Sequence, residues 1–514
     1  MRPSLPFALV VLWLLAAPNA AGEPSGEGEH LTASPGPAAC ALAERLAGPE
    51  TTGSGRLSRE DGAERAVLVA YYAARRCEPL WVAGGGLSAR GAALVAEIAD
   101  SDAWGLEASA FRLPAATGTL TSGEAAEAEA LISRAVLKYA RFARGGRAEP
   151  TSLSRNLDRA LDLPEPQRVI REIAEAEDPA SYLRRFNPQH PQFEALRQAY
   201  VALRRASAGE AANRGPAGAG GAEASLRRLL VNMEEWRWMP DDLGDFYVWV
   251  NVPEFMLRIV KNGKVIHAQA VIVGKPDKQT PIFSAHLEQV IFHPTWGVPD
   301  SIKIADILPS LLRGSSRILE RYNLRVQRGG RDIDPAGVDW ASVDMRTIQI
   351  YQPPGGGNVL GNMKFRFPNK HDVYMHDTPD KYLFKAGARA FSHGCMRLSE
   401  PDRLAELLLE DQGWPASRIA SAVNGGPQNN AITLQRPIPV HVTYFTAALA
   451  QDKLVTFPDI YGHETRIALG MEGKAYLIAK TPANETQAEV IGRLSESRFG
   501  VVKADWAARA FGNN

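Results

Sequence analysis

The pattern of hydrophobic residues changes once along the chain, near residue 207, and this change constrains the fold most strongly. From Cys40 to about Ala206, alanine, leucine and arginine recur at three- and four-residue spacing, which is typical of amphipathic helices. Later runs rich in Val, Ile, Phe and Tyr are typical of strands, and Asn262-Gly263 between two of them predicts a β-hairpin. A chain of 514 residues is also too long for one core. We therefore predict a multidomain α+β fold, with a helical N-terminal scaffold domain and a mainly β second domain.

Composition places the segment boundaries. A stretch rich in Gly and Ala follows the helical region and is typical of a flexible linker. A long stretch rich in Gly and Pro interrupts the β-rich region, and such insertions often close over a site as a lid. The predicted segments are a signal peptide (1–21), a disordered stretch (22–38), the helical scaffold domain (39–206), the linker (207–223), the β-rich domain (224–470) with a helical lid insertion at about 299–369, and a C-terminal extension of unassigned role (471–514) with one strand-like run at 475–479.

The N-terminus is typical of a secretory signal. Arg2 precedes an apolar stretch at residues 7–17, and the small residues Ala20, Ala21 and Gly22 follow it. An apolar stretch this short cannot cross a hydrocarbon core of about 30 Å as a helix, which needs about 20 residues. We expect an exported mature protein without a transmembrane span; an uncleaved anchor is the alternative.

The charge balance bears on the kind of partner. Lysine plus arginine and aspartate plus glutamate both number 58, so the formal net charge is zero. Binding to nucleic acid would require a basic face. We therefore expect no nucleic-acid partner.

The chemistry-bearing motif is the run Ser392-His393-Gly394-Cys395-Met396-Arg397, with His376 nineteen residues before the cysteine. A nucleophilic cysteine needs a base that takes its proton and a tight turn whose backbone N–H groups face a developing oxyanion. His376 can supply the base, and Gly394 allows the turn. We predict that His376 ends a strand and that Cys395 ends the loop before a helix, whose start Ser399 would cap.

The other two cysteines belong to the helical region. Cys40 and Cys77 both fall on helix-like segments, and in an oxidising compartment such a pair is expected to form a disulfide. Cys395 would then be a free thiol in an exported protein, and therefore a candidate reactive group.

A zinc site is the rival interpretation of these residues. His371, His376, His393 and Cys395 could supply nitrogen and sulfur ligands, but their spacing fits no standard zinc pattern. We therefore expect neither a metal nor another cofactor.

The motif resembles the catalytic domain of the L,D-transpeptidases, whose signature is a histidine, a spacer of about fifteen residues, and Ser/Thr-His-Gly-Cys. The resemblance extends over roughly residues 40–470 and is closest to the large multidomain Gram-negative branch. The further matching stretches are Tyr72 to Trp81, Glu235-Trp-Arg-Trp-Met-Pro240, Asn251-Val-Pro, Val273-Gly-Lys-Pro, Thr280-Pro281, Pro294-Thr-Trp-Gly-Val-Pro299, Asn358-Val-Leu-Gly, Lys364-Phe and Phe367-Pro-Asn. Two departures are His293, where asparagine is common, and the linker, which stands where that branch usually carries a small peptidoglycan-binding module.

The resemblance implies a two-step acyl transfer in the periplasm, in cell-wall biogenesis and the maintenance of cell shape. Cys395 would attack the third residue of a donor tetrapeptide stem of peptidoglycan and expel D-alanine, and the thioester would pass to an acceptor amine in a 3→3 cross-link. Carbapenems would be covalent inhibitors. A free D-amino acid or an envelope protein are alternative acceptors. A non-catalytic wall-binding protein and a sortase-like transpeptidase are alternative classes.

The resemblance also suggests roles for the residues around the thiol. His376 would be the general base, and His393 would hold the loop rather than transfer protons. Ser392 would hydrogen-bond inside the loop, and the Cys395 N–H would help to form the oxyanion hole.

For three further residues, two roles remain open. Arg397 would either orient the loop or hold a substrate carboxylate. Tyr374 and Trp296 would either line the cleft or pack in the core.

Overall fold

The computed structural model of the chain describes residues 41–48, 56–115, 118–214, 219–451, 453–479 and 485–496. The expected signal peptide, the expected disordered stretch and Cys40 lie outside these described residues. Each helix within them is too short or not apolar enough to cross a membrane.

The N-terminal region is helical, with one short ribbon. Its elements are α1 (Ala41–Ala47), α2 (Arg56–Ala74), β1 (Val82–Ala83), β2 (Gly86–Leu87), α3 (Ala89–Ala99), α4 (Ser122–Gly145), α5 (Pro150–Leu153), α6 (Pro166–Glu175), α7 (Pro179–Arg184), α8 (Pro191–Arg214) and α9 (Ala219–Arg237). Helix α4 begins at a capping box between Thr121 and Glu124. Its buried Glu129 accepts hydrogen bonds from the Tyr72 hydroxyl and from the backbone N–H groups of residues 80–82. These bonds offset the cost of burying a carboxylate and join α4 to the ribbon.

Two sequence predictions in this region are corrected. Residues 207–214 and 219–223, expected to be linker, belong to helices α8 and α9. Alanine has the highest helix propensity, so an alanine-rich stretch beside amphipathic helices extends them. Cys77, expected on a helix, lies three residues beyond α2 with φ +63°. It is disulfide-bonded, and because Cys40 lies outside the described residues, their pairing stays a prediction.

The second region is mainly β. Its strands are β3 (Phe246–Asn251), β4 (Met256–Lys261), β5 (Lys264–Gly274), β6 (Phe283–Phe292), β7 (Trp296–Gly297), β8 (Arg325–Arg328), β9 (Arg331–Asp332), β10 (Gln349–Gln352), β11 (Met363–Arg366), β12 (Met375–His376), β13 (Ala390–Ser392), β14 (Met396–Leu398), β15 (Asn430–Thr443), β16 (Ala447–Ala450) and β17 (Lys453–Thr456). Its helices are α10 (Asp300–Ile302), α11 (Leu308–Leu312), α12 (Arg317–Arg321), α13 (Pro401–Asp411), α14 (Ala416–Asn424), α15 (His463–Met471) and α16 (Gln487–Glu496).

Nine of these strands form one sheet that closes on itself. Their order is β13-β5-β14-β12-β11-β6-β15-β3-β4, and β4 also pairs with β5. The predicted hairpin between β4 and β5 is confirmed, with Asn262 and Gly263 both at positive φ. The side chains buried by this sheet pack against α13 and α14 in one core. The sheet places β12 beside β14 near its middle, so the two halves of the predicted motif meet there.

A cap formed by residues 296–360 is inserted between β6 and β11. It has its own sheet, in the order β7-β10-β8-β9, and its own hydrophobic core. A π-helical turn, Lys303–Ile307, lies between α10 and α11. The sequence predicted a lid at 299–369, but β11 within that range pairs with β6 of the main sheet. Met363 and Phe365 are buried in the main core, so the insertion ends before them.

The C-terminal extension packs on both the main sheet and the cap. The run at 475–479, predicted as a strand, contains a 3₁₀ turn instead, Ala475–Leu477. It follows closely after α15, and only Ala475 and Ile478 pack against the main core, whereas Tyr476 and Leu477 are exposed. Helix α16 buries Val490 completely in the core of the cap.

Candidate active site

The pairing of β12 with β14 brings the predicted motif together. The two strands are parallel, with His376 opposite Arg397. The Met396 N–H donates to the Tyr374 carbonyl oxygen at 3.1 Å, so Tyr374 and Cys395 are neighbours across the two strands. Side chains two residues apart on a strand share a face. Tyr374, His376, Cys395 and Arg397 therefore lie on one face of the sheet, and all four line one cleft.

The neighbouring strand β11 adds a lysine to this face. Lys364 lies opposite His376 in the antiparallel register. Its Nζ is 4.0 Å from the centroid of the Tyr374 ring, a cation–π contact. The cationic groups Lys364 and Arg397 thus lie on either side of His376.

His376 is buried in a defined tautomer. Its side chain is 5 % exposed, and Nδ1 is 2.5 Å from the carbonyl oxygen of Asp377. A carbonyl oxygen only accepts, so Nδ1 carries the proton and Nε2 of the neutral ring is an acceptor. Burial, with the charge of Arg397, lowers the pKa of His376 to about 3. The imidazole is therefore neutral near pH 7 and can accept a proton at Nε2.

Cys395 is a partly exposed free thiol. Its Sγ is 4.0 Å from the carbonyl oxygen of Asp372. Burial raises the pKa of the Cys395 thiol, while hydrogen bonds with Tyr374 and the charge of Lys364 oppose the rise. Tyr374 also hydrogen-bonds with Trp296, so this pair of aromatic residues adjoins the thiol. The resting arrangement is a neutral thiol and a neutral imidazole on the same face of the sheet.

A tight turn holds Cys395 at the end of β13. Ser392 Oγ accepts from the Gly394 N–H at 3.1 Å and donates to the Cys395 carbonyl oxygen at 2.5 Å. Gly394 has φ +114°, and a Cβ there would lie 3.4 Å from the carbonyl oxygen of Gln279. Both facts favour glycine. The Thr280 hydroxyl donates to the Gly394 carbonyl oxygen at 2.8 Å, which fixes the turn from outside.

Two predicted residues contact carboxylates. His393 Nε2 is 3.2 Å from Asp306 Oδ2, on the π-helical turn of the cap. Arg397 Nη1 is 3.2 Å from Asp380 Oδ2, and its side chain is buried. His393 thus connects the turn to the cap. Arg397 is held by a carboxylate of the same domain, an arrangement that favours an orienting role.

His371, needed for the alternative zinc site, contacts another residue. Its Nε2 is 2.8 Å from Asp158 Oδ2, in the helical region. Within the described ranges, no three His, Cys, Asp or Glu side chains are grouped so that they could hold a metal ion.

The cleft that contains these residues has a volume of about 1230 Å³. The main sheet forms its floor. Its walls come from the cap, including Trp296, from residues 151–158 of the helical region, and from Glu485 of the C-terminal extension. No local sequence pattern indicated the last two contributions or Asp306. Lys364 lies in the short alternating run Met-Lys-Phe-Arg of β11, which carries no signal that sets it apart.

Helix α13 begins differently from the prediction. It starts at Pro401 with Glu400 at the N-cap position, and no side chain caps it. Proline at the first helical position was the better signal than Ser399.

The chain matches two family models. Residues 66–199 match the Scaffold domain, and residues 245–418 match the L,D-transpeptidase catalytic domain. A Haemophilus influenzae protein named as a candidate L,D-transpeptidase is 32% identical over 243 residues, which are 47% of this chain and 49% of that protein. The chain thus spans about half the length of this relative.

Solved structures of L,D-transpeptidases are also similar to this chain. The enzyme from Mycobacterium smegmatis is 14% identical, over 39% of this chain and 58% of its own, with a TM-score of 0.19. LdtMt1 in complex with imipenem is 17% identical, over 39% and 59% of the two chains, with a TM-score of 0.19. Residues 245–418 match this family, and the motif within them is assembled on one face of the sheet. The chain therefore carries a catalytic domain of the L,D-transpeptidase family, preceded by a helical scaffold domain.

Proposed function

We propose that this protein is a cysteine L,D-transpeptidase that forms 3→3 cross-links between peptidoglycan stem peptides. The observation that carries the proposal is the neutral His376, with its Nε2 unprotonated, on the same sheet face as the Cys395 thiol. A thiol becomes a competent nucleophile when a positioned base takes its proton.

In the first half-reaction, Cys395 Sγ attacks the carbonyl carbon of the third residue of a donor tetrapeptide while His376 Nε2 takes the thiol proton. The tetrahedral intermediate collapses, the C–N bond to D-alanine breaks, and His376 returns the proton to the leaving amine. In the second, an acceptor amine attacks the thioester and gives a proton to His376. The C–S bond breaks, and the sulfur regains its proton from His376.

The oxyanion of each intermediate needs hydrogen-bond donors. Among the described residues, the Gly394 N–H is used by Ser392, whereas the Cys395 N–H has no hydrogen-bond partner. We assign the Cys395 N–H as one oxyanion donor. Lys364 and Arg397 add positive charge on the same face, which stabilises both the thiolate and the oxyanion.

A second stem peptide is the acceptor that we propose, and the site of action is the periplasm. A free D-amino acid or an amine of an envelope protein would undergo the same second step. Analysis of the products by mass spectrometry separates the three, because each acceptor gives a product of different mass.

The test of the proposal is Cys395→Ala in the full mature chain. We expect the variant to release no D-alanine from a tetrapeptide stem and to form no covalent adduct with a carbapenem, because the nucleophilic sulfur is absent. Wild type should do both. Intact-mass spectrometry measures the adduct, and thermal unfolding checks that the variant is folded. Acylation of the alanine variant would contradict the assignment.

A further inference from the structure

Residues 154–159, between α5 and α6, form a connector segment that lies against the catalytic domain. The segment falls within the range that matches the Scaffold domain. It nevertheless pairs with the catalytic domain through a parallel bridge between Leu157 and Ile282. The Asp158 N–H donates to the Ile282 carbonyl oxygen at 2.8 Å, and the Ile282 N–H donates to the Asn156 carbonyl oxygen at 2.7 Å. Arg159 is buried, and its Nη2 donates to the Val442 carbonyl oxygen at 2.6 Å.

On one side, the connector segment contacts the loop that supports the Gly394 turn. Asn156 Nδ2 donates to Gln279 Oε1 at 2.8 Å. The backbone of Gln279 lies in close approach to Gly394, and Thr280 donates to the Gly394 carbonyl oxygen. Gln279 therefore links the connector segment to the turn that holds Cys395.

On the other side, the connector segment contacts the stretch before β12. Asp158 Oδ1 is 2.6 Å from Lys370 Nζ, and Asp158 Oδ2 is 2.8 Å from His371 Nε2. The next residue, Asp372, provides the carbonyl oxygen 4.0 Å from Cys395 Sγ. The scaffold domain thus supports both chain segments that adjoin the thiol.

Arg155 lies between these two points of attachment. Ser154 before it is buried and Asn156 after it is hydrogen-bonded, so its backbone is fixed. The Arg155 side chain is exposed and lines the same cleft as Cys395. Carboxylates line this cleft too, but within the described residues none is within 4.0 Å of the Arg155 guanidinium. Among the described residues, this cation therefore has no side-chain partner that a ligand must displace.

We propose that Arg155 binds a carboxylate of a stem peptide, so that the scaffold domain supplies a substrate subsite to the catalytic cleft. The inference rests on the proposed function. Stem peptides carry carboxylates on both the donor and the acceptor strand. A guanidinium matches a carboxylate with two parallel hydrogen bonds, which a lysine cannot reproduce.

The experiment compares wild type with Arg155→Gln and Arg155→Lys in the full mature chain. In the donor arm, D-alanine release is measured against tetrapeptide concentration without acceptor. In the acceptor arm, cross-linking is measured against acceptor concentration at saturating donor. We expect Arg155→Gln to raise KM about tenfold or more in the arm whose peptide it binds, with kcat nearly unchanged, because a hydrogen-bonded ion pair is lost. Arg155→Lys should recover part of the loss.

Amidated stem peptides identify the carboxylate. With the relevant carboxylate amidated, wild type should show the KM of Arg155→Gln, and the variant should be indifferent to the amidation. Arg171→Gln is the matched control, because Arg171 is also exposed and its side chain has no hydrogen bond or ion pair among the described residues. It should leave both arms unchanged.

The two failures are distinguishable. If wild type turns over donor but Arg155→Gln has the wild-type KM in both arms, Arg155 binds no substrate carboxylate and the proposed function stands. If wild type releases no D-alanine from any stem peptide, the proposed function fails and the subsite fails with it.

Discussion

At the scale of single residues, the site is built to keep its two reacting groups neutral until substrate arrives. Burial lowers the pKa of His376 to about 3 and raises the pKa of the Cys395 thiol. A resting thiolate–imidazolium pair would require the opposite shifts. In the proposed mechanism, the nucleophile is therefore generated during attack, when the proton moves to His376 Nε2. Lys364 lowers the thiol pKa against the effect of burial, and so assists this step.

This view predicts the pH dependence of thiol alkylation. Iodoacetamide should react with wild type at a rate that rises with pH and levels off only above the ordinary thiol pKa of about 8.5. A thiolate paired with His376 would instead give a plateau from about pH 4 upward, as in cysteine enzymes with depressed thiol pKa values. A plateau at acidic pH would contradict the neutral resting pair.

His376→Ala separates the role of the base from that of the thiol. We expect D-alanine release to fall by about 10²–10⁴, the usual cost of losing a general base. Alkylation at pH 10 should be nearly unchanged, because hydroxide then removes the proton without His376. The two rates are measured on the same preparation. Wild-type turnover in the variant would exclude His376 as the base.

Sequence alone was enough to propose Cys395 and His376 as nucleophile and base, because their spacing and the intervening glycine carry the chemical requirement locally. It was not enough to propose Asp306 or Arg155 as neighbours of the cleft. Asp306 contacts His393 from an inserted cap, and Arg155 reaches the cleft from a domain more than 200 residues earlier. Such contacts depend on how separate elements pack, and no local pattern encodes them.

At the scale of elements, the cap contacts the rest of the described chain at several places besides its covalent ends. Asp306 contacts His393, and Trp296 hydrogen-bonds with Tyr374. Helix α16 also buries Val490 in the core of the cap. Gln487 at the start of α16 accepts from the Met345 N–H at 3.0 Å and donates to the Val343 carbonyl oxygen at 2.7 Å. The C-terminal extension, to which the sequence analysis assigned no role, therefore fixes the cap, which forms one wall of the cleft.

Strand and helix predictions held where periodicity and turn residues agreed, as in the hairpin at Asn262-Gly263. They failed where local preference and packing differed. The run at 475–479 is apolar enough for a strand, but its residues follow α15 closely and pack as a 3₁₀ turn. The position of the cap boundary also depended on packing, because the four residues of β11 are too few to predict a strand until their pairing with β6 is known.

Loosening the cap should change the fate of the thioester. Val490→Asp places a charge in the cap core, which should release α16 and let water reach the cleft. We expect the ratio of hydrolysis to cross-linking to rise, while alkylation of Cys395 persists. Chromatography of the two products measures the ratio. Ala488→Asp is the matched control, because it adds the same charge at an exposed position of α16 and should leave the ratio unchanged.

A negative result can be interpreted if cap release is measured separately. Hydrogen exchange in residues 300–350 should increase in Val490→Asp and not in Ala488→Asp. An unchanged product ratio despite increased exchange would show that the cap does not exclude water from the thioester.

At the scale of the whole molecule, the two domains share more than the connector segment. Trp236 of α9 stacks between His190 of the helical region and Phe445 of the β-rich region, with ring centroids 4.2 and 4.6 Å away. Trp236 and Phe445 belong to a core that α8, α9 and β16 build together. Arg155 lines the cleft, and Asp158 contacts His371. Because both residues belong to the helical domain, the geometry of the site depends on the stability of that domain.

The disulfide predicted between Cys40 and Cys77 would keep the helical domain folded and so preserve the geometry of the site. Cys77 is disulfide-bonded and Cys395 is free, in a chain that contains three cysteines. The predicted bridge encloses 36 residues and should stabilise the helical domain by roughly 3–4 kcal/mol, because it restricts the unfolded chain. Thiol titration of the denatured, non-reduced protein should find one free thiol per chain, whereas a count of three would refute the bridge.

A pair of variants tests whether activity depends on the folding of the helical domain. Cys40→Ser and Cys77→Ser should each lower the unfolding temperature of the helical domain equally, and the double variant should lose nothing more, because both remove one bridge. At temperatures below that transition, D-alanine release should stay at the wild-type level. Above it, activity should fall while the β-rich domain remains folded by circular dichroism, because the connector segment no longer supports the residues beside Cys395. Activity that follows only the unfolding of the β-rich domain would contradict this dependence on the scaffold.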